Sequence, residues 1–179
     1  MSPMDVPDQS RAGSRAFDFP AENRLPSDLP LPDALDLSQF TPRLITILSN
    51  IMSVRESQSL RQKFDLGTTD WRIIGALAQE PAMTATELSR YTVMSKAVIS
   101  RKLAGLVDGG LIQQGDGPRG SRPLRLTAKG AEMYSGMWPI AYRAQRLIER
   151  TLTQPELITL ESLLMRLVDA TNDDGAWLD

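Results

Sequence analysis

The chain has 179 residues, a formal net charge of −2, and neither histidine nor cysteine. This length fits one domain, or one domain with a tail. Without cysteine the chain can form neither a disulfide nor a thiol switch, and without histidine as well it excludes Ser-His and Cys-His catalysis. Both absences also argue against a zinc site. No apolar run could span a bilayer or serve as a signal peptide, and no spacing suggests a catalytic set. We therefore expect a cytoplasmic protein with no catalytic residue, no metal and no cofactor.

The first 40 residues differ in composition from the rest of the chain. They carry seven acidic and three basic residues, and residues 1–42 contain seven of the twelve prolines. A segment of this kind buries little apolar surface. We therefore expect residues 1–40 to form a flexible, acidic extension ahead of the folded domain.

The first regular helix is expected to begin at Thr41, with Pro42 in its first turn. Its first four turns are apolar on several faces, and a single protein lobe rarely covers such a helix. A second subunit is the natural cover. The apolar residues are Leu44, Ile45, Ile47, Leu48, Ile51, Met52 and Val54.

A second helix should contain Trp71 and the apolar residues that follow it. Gly67 breaks the chain before this helix, and Thr68 or Thr69 is expected to cap its start. Pro81 prevents its continuation, because proline lacks the backbone N–H that a helix interior needs.

Two short helices are predicted next. Thr84 and Glu87 have the spacing of a capping box, and Ser95 can cap the following helix. That helix has one apolar stripe, formed by Ile99, Leu103 and Leu106. The residues on its other faces near the N-terminus are small or basic, namely Lys96, Ala97, Ser100 and Arg101. A helix of this kind can enter the major groove of DNA with its first turns on the base edges.

A glycine-rich and proline-rich hairpin follows, between the strand-like runs LIQQ and LRL. Arg119 and Arg122 can extend from its tip into a minor groove or along phosphates. Alone, the basic helix or the hairpin would indicate an ordinary solvated surface. However, residues 96–129 contain seven basic and two acidic residues, a net charge of +5 inside a chain of −2. This local balance favours a polyanionic partner.

Two helices complete the pattern. Thr127 should open a long helix that Pro139 bends. Thr153 and Glu156 form a second capping box, ahead of an amphipathic helix. Its apolar stripe consists of Leu157, Leu160, Leu163, Leu164, Leu167 and Val168. We expect this stripe to pack against the same helix and against residues 41–64 of a second chain, across a two-fold axis.

Together these segments resemble the MarR family of transcription regulators. The resemblance is carried by TTDWRIIGAL, TELSRY, SKAVISRKLAGLVDGGLI, LRLTAKG and LTQPELITLESLLMRLV, and it spans residues 41–171. It implies a mainly α fold with a small β-wing: a winged helix-turn-helix over 67–126, dimerisation helices over 41–66 and 127–171, and a tail over 172–179. The family wing usually carries an acidic-x-Arg sequence, whereas this tip reads PRGSRP.

The resemblance also implies a homodimer that binds double-stranded DNA at a pseudo-palindromic operator. In the bacterial cytoplasm, the protein would be associated with the nucleoid when it is bound to DNA. The predicted DNA contacts are Ser95, Lys96, Ala97, Ser100, Arg101, Lys102, Arg119 and Arg122. Arg122 is the best match to the family's wing arginine, with Arg119 as the alternative.

By resemblance, a small effector binds between the first helix, the Trp71 helix and the long helix after the wing. The candidate residues are Leu48, Met52, Trp71, Arg72, Trp138, Tyr142 and Arg143, and core packing is the alternative for the aromatic ones. An aromatic or phenolic acid, or its thioester, is the expected effector of a repressor. The alternatives are a regulator or activator without an effector, and a winged-helix module that binds protein.

Overall fold

The computed structural model of the protein describes residue 34 and residues 36–171. Six helices and one hairpin form the unit that starts at Thr41. In chain order they are α1 (Thr41–Phe64), α2 (Thr68–Gln79), α3 (Ala85–Thr92), α4 (Lys96–Asp108), β1 (Ile112–Gln114), β2 (Leu124–Leu126), α5 (Ala128–Thr151) and α6 (Gln154–Thr171). This confirms the predicted mainly α fold with a small β-wing. Most of the predicted extension, and the predicted tail, lie outside the described residues.

Local capping fixes most of the helix starts. The Thr84 hydroxyl accepts the N–H of Glu87, whose carboxylate accepts the N–H of Thr84 at 2.7 Å, so the predicted capping box is confirmed. The Ser95 hydroxyl caps α4 by accepting the N–H of Val98, and the Thr127 hydroxyl caps α5 by accepting the N–H of Gly130. At the second predicted capping box, the Thr153 N–H donates to the Glu156 carboxylate at 2.8 Å, which is one of the two bonds of such a box.

One predicted helix cap was wrong. Neither Thr68 nor Thr69 caps α2: the cap residue is Gly67, whose N–H donates to the Asp70 carboxylate at 2.9 Å. At the end of α4, Gly110 has a positive φ (70°), whereas Gly109 keeps a right-handed helical conformation.

The hydrophobic core lies between α2, α3, α4, the hairpin and α5. Leu88 of α3, Ile99 of α4 and Met137 of α5 are fully buried in it. In contrast, α1 and α6 each contribute one buried side chain, Leu60 and Leu157. No helix within residues 36–171 is both long enough and apolar enough to cross a membrane.

Hydrogen bonds join the base of the wing to the start of α5. In the antiparallel pair β1–β2, Ile112 lies opposite Leu126. Just outside this pair, the Thr127 N–H donates to the Leu111 carbonyl at 3.0 Å, and its hydroxyl donates to the Gly110 carbonyl at 2.7 Å. Gly130 passes so close that a Cβ atom there would overlap the Leu111 carbonyl oxygen. The glycine of the LTAKG motif therefore allows the helix and the wing to approach.

We predict that Gly130→Ala lowers the free energy of unfolding by about 1–3 kcal/mol, because backbone atoms must move to accept the new methyl group. Urea unfolding at fixed protein concentration measures the change. Gly75→Ala is the matched control, since a Cβ there has no neighbour within 4 Å; it should raise stability by up to about 1 kcal/mol through helix propensity. Equal stability of the Gly130→Ala variant and the wild-type protein would contradict the steric explanation.

Candidate nucleic-acid interface

The exposed face of α4 follows from how its apolar stripe is buried. Ile99, Leu103 and Leu106 face the core and are between 0 and 8 % exposed. The opposite face of the first turns is therefore open to solvent, and all five candidate residues there are exposed: Ser95, Lys96, Ala97, Ser100 and Arg101. In the described part of the chain, neither Lys96 nor Arg101 has a carboxylate oxygen within 4 Å. Both charges are available to a partner.

Lys102 differs from the other candidates in α4. Its ammonium group lies 3.1 Å from the Asp70 carboxylate of α2, and its side chain is 41 % exposed whereas that of Asp70 is 7 % exposed. A buried carboxylate needs such a partner, since an unpaired buried charge is costly. The ammonium group of Lys102 is thus paired with a carboxylate of the same chain. Its contact with DNA stays a prediction.

The wing tip is held in shape by backbone hydrogen bonds. The N–H of Gly115 donates to the Pro123 carbonyl at 2.9 Å, and the N–H of Gly117 donates to the Ser121 carbonyl at 2.8 Å. Arg119 and Arg122 are both exposed at this tip. The structure keeps both arginines free of a carboxylate partner among the residues it describes.

Two side chains that orient α4 were not singled out from the sequence. Asp70 is one of them. The other is Lys129 in the first turn of α5, whose ammonium group donates to the Gly109 carbonyl at 2.8 Å. A cation at this position satisfies a carbonyl at the end of α4 and interacts favourably with the helix dipole. Its only sequence signal was one more positive charge in the basic segment.

Away from α4, a largely apolar cavity of about 810 Å³ lies between α1, α2, α5 and α6. Four of the seven predicted effector residues line it: Leu48, Met52, Trp71 and Arg72. Arg143 instead lines a neighbouring groove of about 410 Å³, which shares Leu48 and Met52. Trp138 and Tyr142 line neither space; their rings stack on each other with centroids 4.7 Å apart. The structure thus brings together only part of the predicted set.

Trp71 serves both the cavity and the core. Its ring stacks on that of Tyr134 of α5 at a centroid distance of 5.3 Å, and it packs against the buried cluster. One side chain therefore forms a wall of the cavity and joins α2 to α5.

Polar groups cluster at the α2 end of this cavity. The Arg72 guanidinium donates to the Ser53 hydroxyl at 3.3 Å. Glu56 lies beside them and is half-buried. Its burial raises the pKa of the carboxyl group, and the Thr68 hydroxyl and the positive charge of Arg72 offset part of that rise. The cavity therefore offers an apolar wall with one cationic and one acidic group at its end.

Comparison with known proteins finds a family similarity in the middle of the chain. Residues 64–123, which include α2, α3, α4 and most of the hairpin, match the model of the MarR family. This segment of the chain is therefore similar to the MarR family. No curated protein sequence matches the chain.

Solved MarR-family structures share the fold beyond the matched segment. A MarR/EmrR-family regulator from Acinetobacter sp. ADP1 has a TM-score of 0.72 and 23% identity, over 77% of this chain and 99% of that one. A mutant MarR from E. coli, complexed with operator DNA, has a TM-score of 0.64 and 20% identity (72% and 94% covered). The PcaV regulator from Streptomyces coelicolor, in complex with its natural ligand, has a TM-score of 0.65 and 20% identity (77% and 98% covered).

We predict that Glu56→Gln changes how the stability of this MarR-type fold depends on pH. Because the folded-state pKa of Glu56 is raised, the wild-type carboxyl group loses stabilisation as pH rises from the unfolded-state pKa through the folded-state value. The glutamine variant lacks that loss, so it should be the more stable protein at pH 7, and the difference should shrink toward pH 4. Urea unfolding at both pH values tests this. A variant that is less stable than the wild type at pH 7 would contradict the desolvation argument.

Proposed function

We propose that the protein is a DNA-binding transcription regulator that reads the major groove with α4 and contacts the minor groove or the phosphates with the wing. The observation that carries the proposal is the exposed first half of α4, where Lys96 and Arg101 have no carboxylate partner among the described residues. This face belongs to a segment of net charge +5 in a MarR-family winged helix. One relative of the same fold was solved with operator DNA.

Ser95, Ala97 and Ser100 add small side chains to the same helix, so the backbone of α4 can approach the bases closely. Exposed N–H groups near the Ser95 cap also suit a phosphate oxygen. In the wing, Arg122 is the first candidate for the minor groove and Arg119 the second. Lys102 contributes mainly by its pairing with Asp70.

The regulator acts as a homodimer in this proposal. Large apolar side chains of α1 and α6 are exposed on the single chain, with Val54 at 55 % and Leu167 at 50 %. A symmetric pair covers them and holds two α4 helices at about 34–36 Å or a multiple of that, the spacing of successive major grooves. The matching DNA site is a pseudo-palindrome, and the bound dimer resides with the nucleoid in the cytoplasm.

Repression relieved by a small aromatic or phenolic acid, or by its thioester, is the regulatory mode that we infer. The cavity lined by Trp71 and Met52 supplies apolar walls, and Arg72 supplies a cation for a carboxylate. A relative of the same fold was solved with its natural ligand. The ligand must favour one spacing of the α4 helices, and a coupling of about 1–3 kcal/mol would change DNA affinity by about 5–150-fold.

Removal of the two key arginines should weaken DNA binding without dissociating the dimer. We expect Arg101→Ala to lower affinity by about 5–150-fold, because it removes a base or phosphate contact worth about 1–3 kcal/mol. Arg122→Ala should also reduce the dependence of log affinity on log salt by about 0.9, one phosphate contact. Fluorescence anisotropy measures both, on a duplex selected by the wild-type protein from a random library.

Arg146→Ala is the control, since Arg146 is an exposed arginine of α5 outside the proposed interface. It should bind DNA as the wild type does. If Arg101→Ala and Arg122→Ala both keep wild-type affinity, the residue assignment is wrong. If the wild-type protein binds no duplex at low salt, the protein-interaction alternative replaces the regulator.

An aromatic acid that binds the cavity should raise the melting temperature of the protein, because it binds the folded state alone. We expect 4-hydroxybenzoate to do so for the wild type and for Arg143→Met, whereas Arg72→Met should lose the shift. Differential scanning calorimetry measures it. If Arg143→Met instead loses the rise in melting temperature, the carboxylate of the acid binds in the neighbouring groove. If no aromatic acid raises the melting temperature of the wild type, a regulator without an effector is favoured.

A further inference from the structure

The first turn of α2 contacts two different parts of the protein on its two sides. Consecutive residues of an α-helix are about 100° apart around the axis, so residues two positions apart point in nearly opposite directions. Thr68 and Asp70 have this relation. Both are buried, at 8 % and 5 % exposure, although both are polar. Each therefore has a partner that justifies its burial.

On one side, the turn is tied to the wall of the large cavity. The Thr68 hydroxyl donates to the Ser53 carbonyl of α1 at 3.1 Å. Arg72 is four residues after Thr68, on the same helix face, and it donates to the Ser53 hydroxyl. Ser53 and Arg72 both line the cavity, as does Glu56 beside them. A change in the position of α1 at the cavity therefore acts on Thr68 directly.

On the other side, the same turn is tied to α4. One oxygen of the Asp70 carboxylate, Oδ2, accepts the N–H of Gly67 at 2.9 Å and the ammonium group of Lys102 at 3.1 Å. The first bond fixes the carboxylate to the start of α2. The second bond joins it to α4, at the residue directly after Arg101. Displacement of the turn thus displaces the anchor of the proposed reading helix.

We propose that Asp70 is a positioning residue, which passes movement of the α1–α2 cavity wall to α4 through its ion pair with Lys102. The path is short: Ser53, Thr68, one turn of α2, Asp70 and Lys102. The biological role of this coupling rests on the proposed function, since an effector in the cavity would shift α4 through it. The physical coupling itself requires neither DNA nor an effector.

The test perturbs the cavity side and measures α4, by hydrogen–deuterium exchange of the full-length protein. Thr68→Val keeps the shape of the side chain and removes the hydroxyl that donates to the Ser53 carbonyl and that also interacts with the Glu56 carboxyl group, both on α1. We expect it to raise the exchange rate of the α4 amides by about two- to tenfold, the effect of one lost hydrogen bond. Thr159→Val is the matched control, because the Thr159 hydroxyl donates to the Pro155 carbonyl within α6 at 2.8 Å.

The decisive comparison repeats Thr68→Val in proteins that lack the ion pair. Asp70→Asn keeps an acceptor for Gly67 and removes the charge, and Lys102→Met breaks the pair from the other side if the first variant fails to fold. In either background, Thr68→Val should leave α4 exchange unchanged. The proposal is overturned if Thr68→Val has no effect on α4 in the wild type, or has the same effect with and without the pair. Neither result bears on DNA binding, which the anisotropy experiment tests separately.

Discussion

The constraint on which the rest of the structure depends is the uncovered apolar surface of α1 and α6. α1 has 24 residues and only Leu60 is buried in a single chain, while α6 buries only Leu157. Side chains such as Val54, Leu163 and Val168 stay between 46 and 55 % exposed. Covering the remaining half of one such side chain contributes about 1 kcal/mol, so several of them together favour association strongly. In our account a second copy covers them, and this pairing sets the distance between the two α4 helices.

The winged-helix unit, by comparison, is complete within one chain. Its core is closed by α2, α3, α4 and α5, and its wing is fixed by backbone contacts at Leu111, Thr127 and Gly130. In the proposed regulator, movement of the dimerisation helices α1 and α6 would change the spacing of the two α4 helices. The cavity lies where α1 and α6 meet α2 and α5, and the buried Asp70 carboxylate lies between α2 and α4.

The features that could be predicted from sequence were those encoded by neighbouring residues. The Thr84–Glu87 box, the Thr153–Glu156 hydrogen bond and the Ser95 cap depend on residues three apart, and all three are present. The Asp70–Lys102 pair was missed because its members are 32 residues apart and only the packing of α2 on α4 brings them together. Likewise, the sequence shows that Trp138 and Tyr142 share a helix face but not that they stack on each other away from the cavity.

The measurement that tests this account most directly is the mass of the protein in solution by sedimentation equilibrium, over a range of micromolar concentrations. The account predicts a symmetric pair with twice the chain mass of 19.8 kDa, and it predicts that Leu167→Glu dissociates the pair whereas Leu167→Met does not. A wild-type protein that remains at the mass of one chain at the highest concentration would contradict the account, since the exposed faces of α1 and α6 would then not be an interface between two copies.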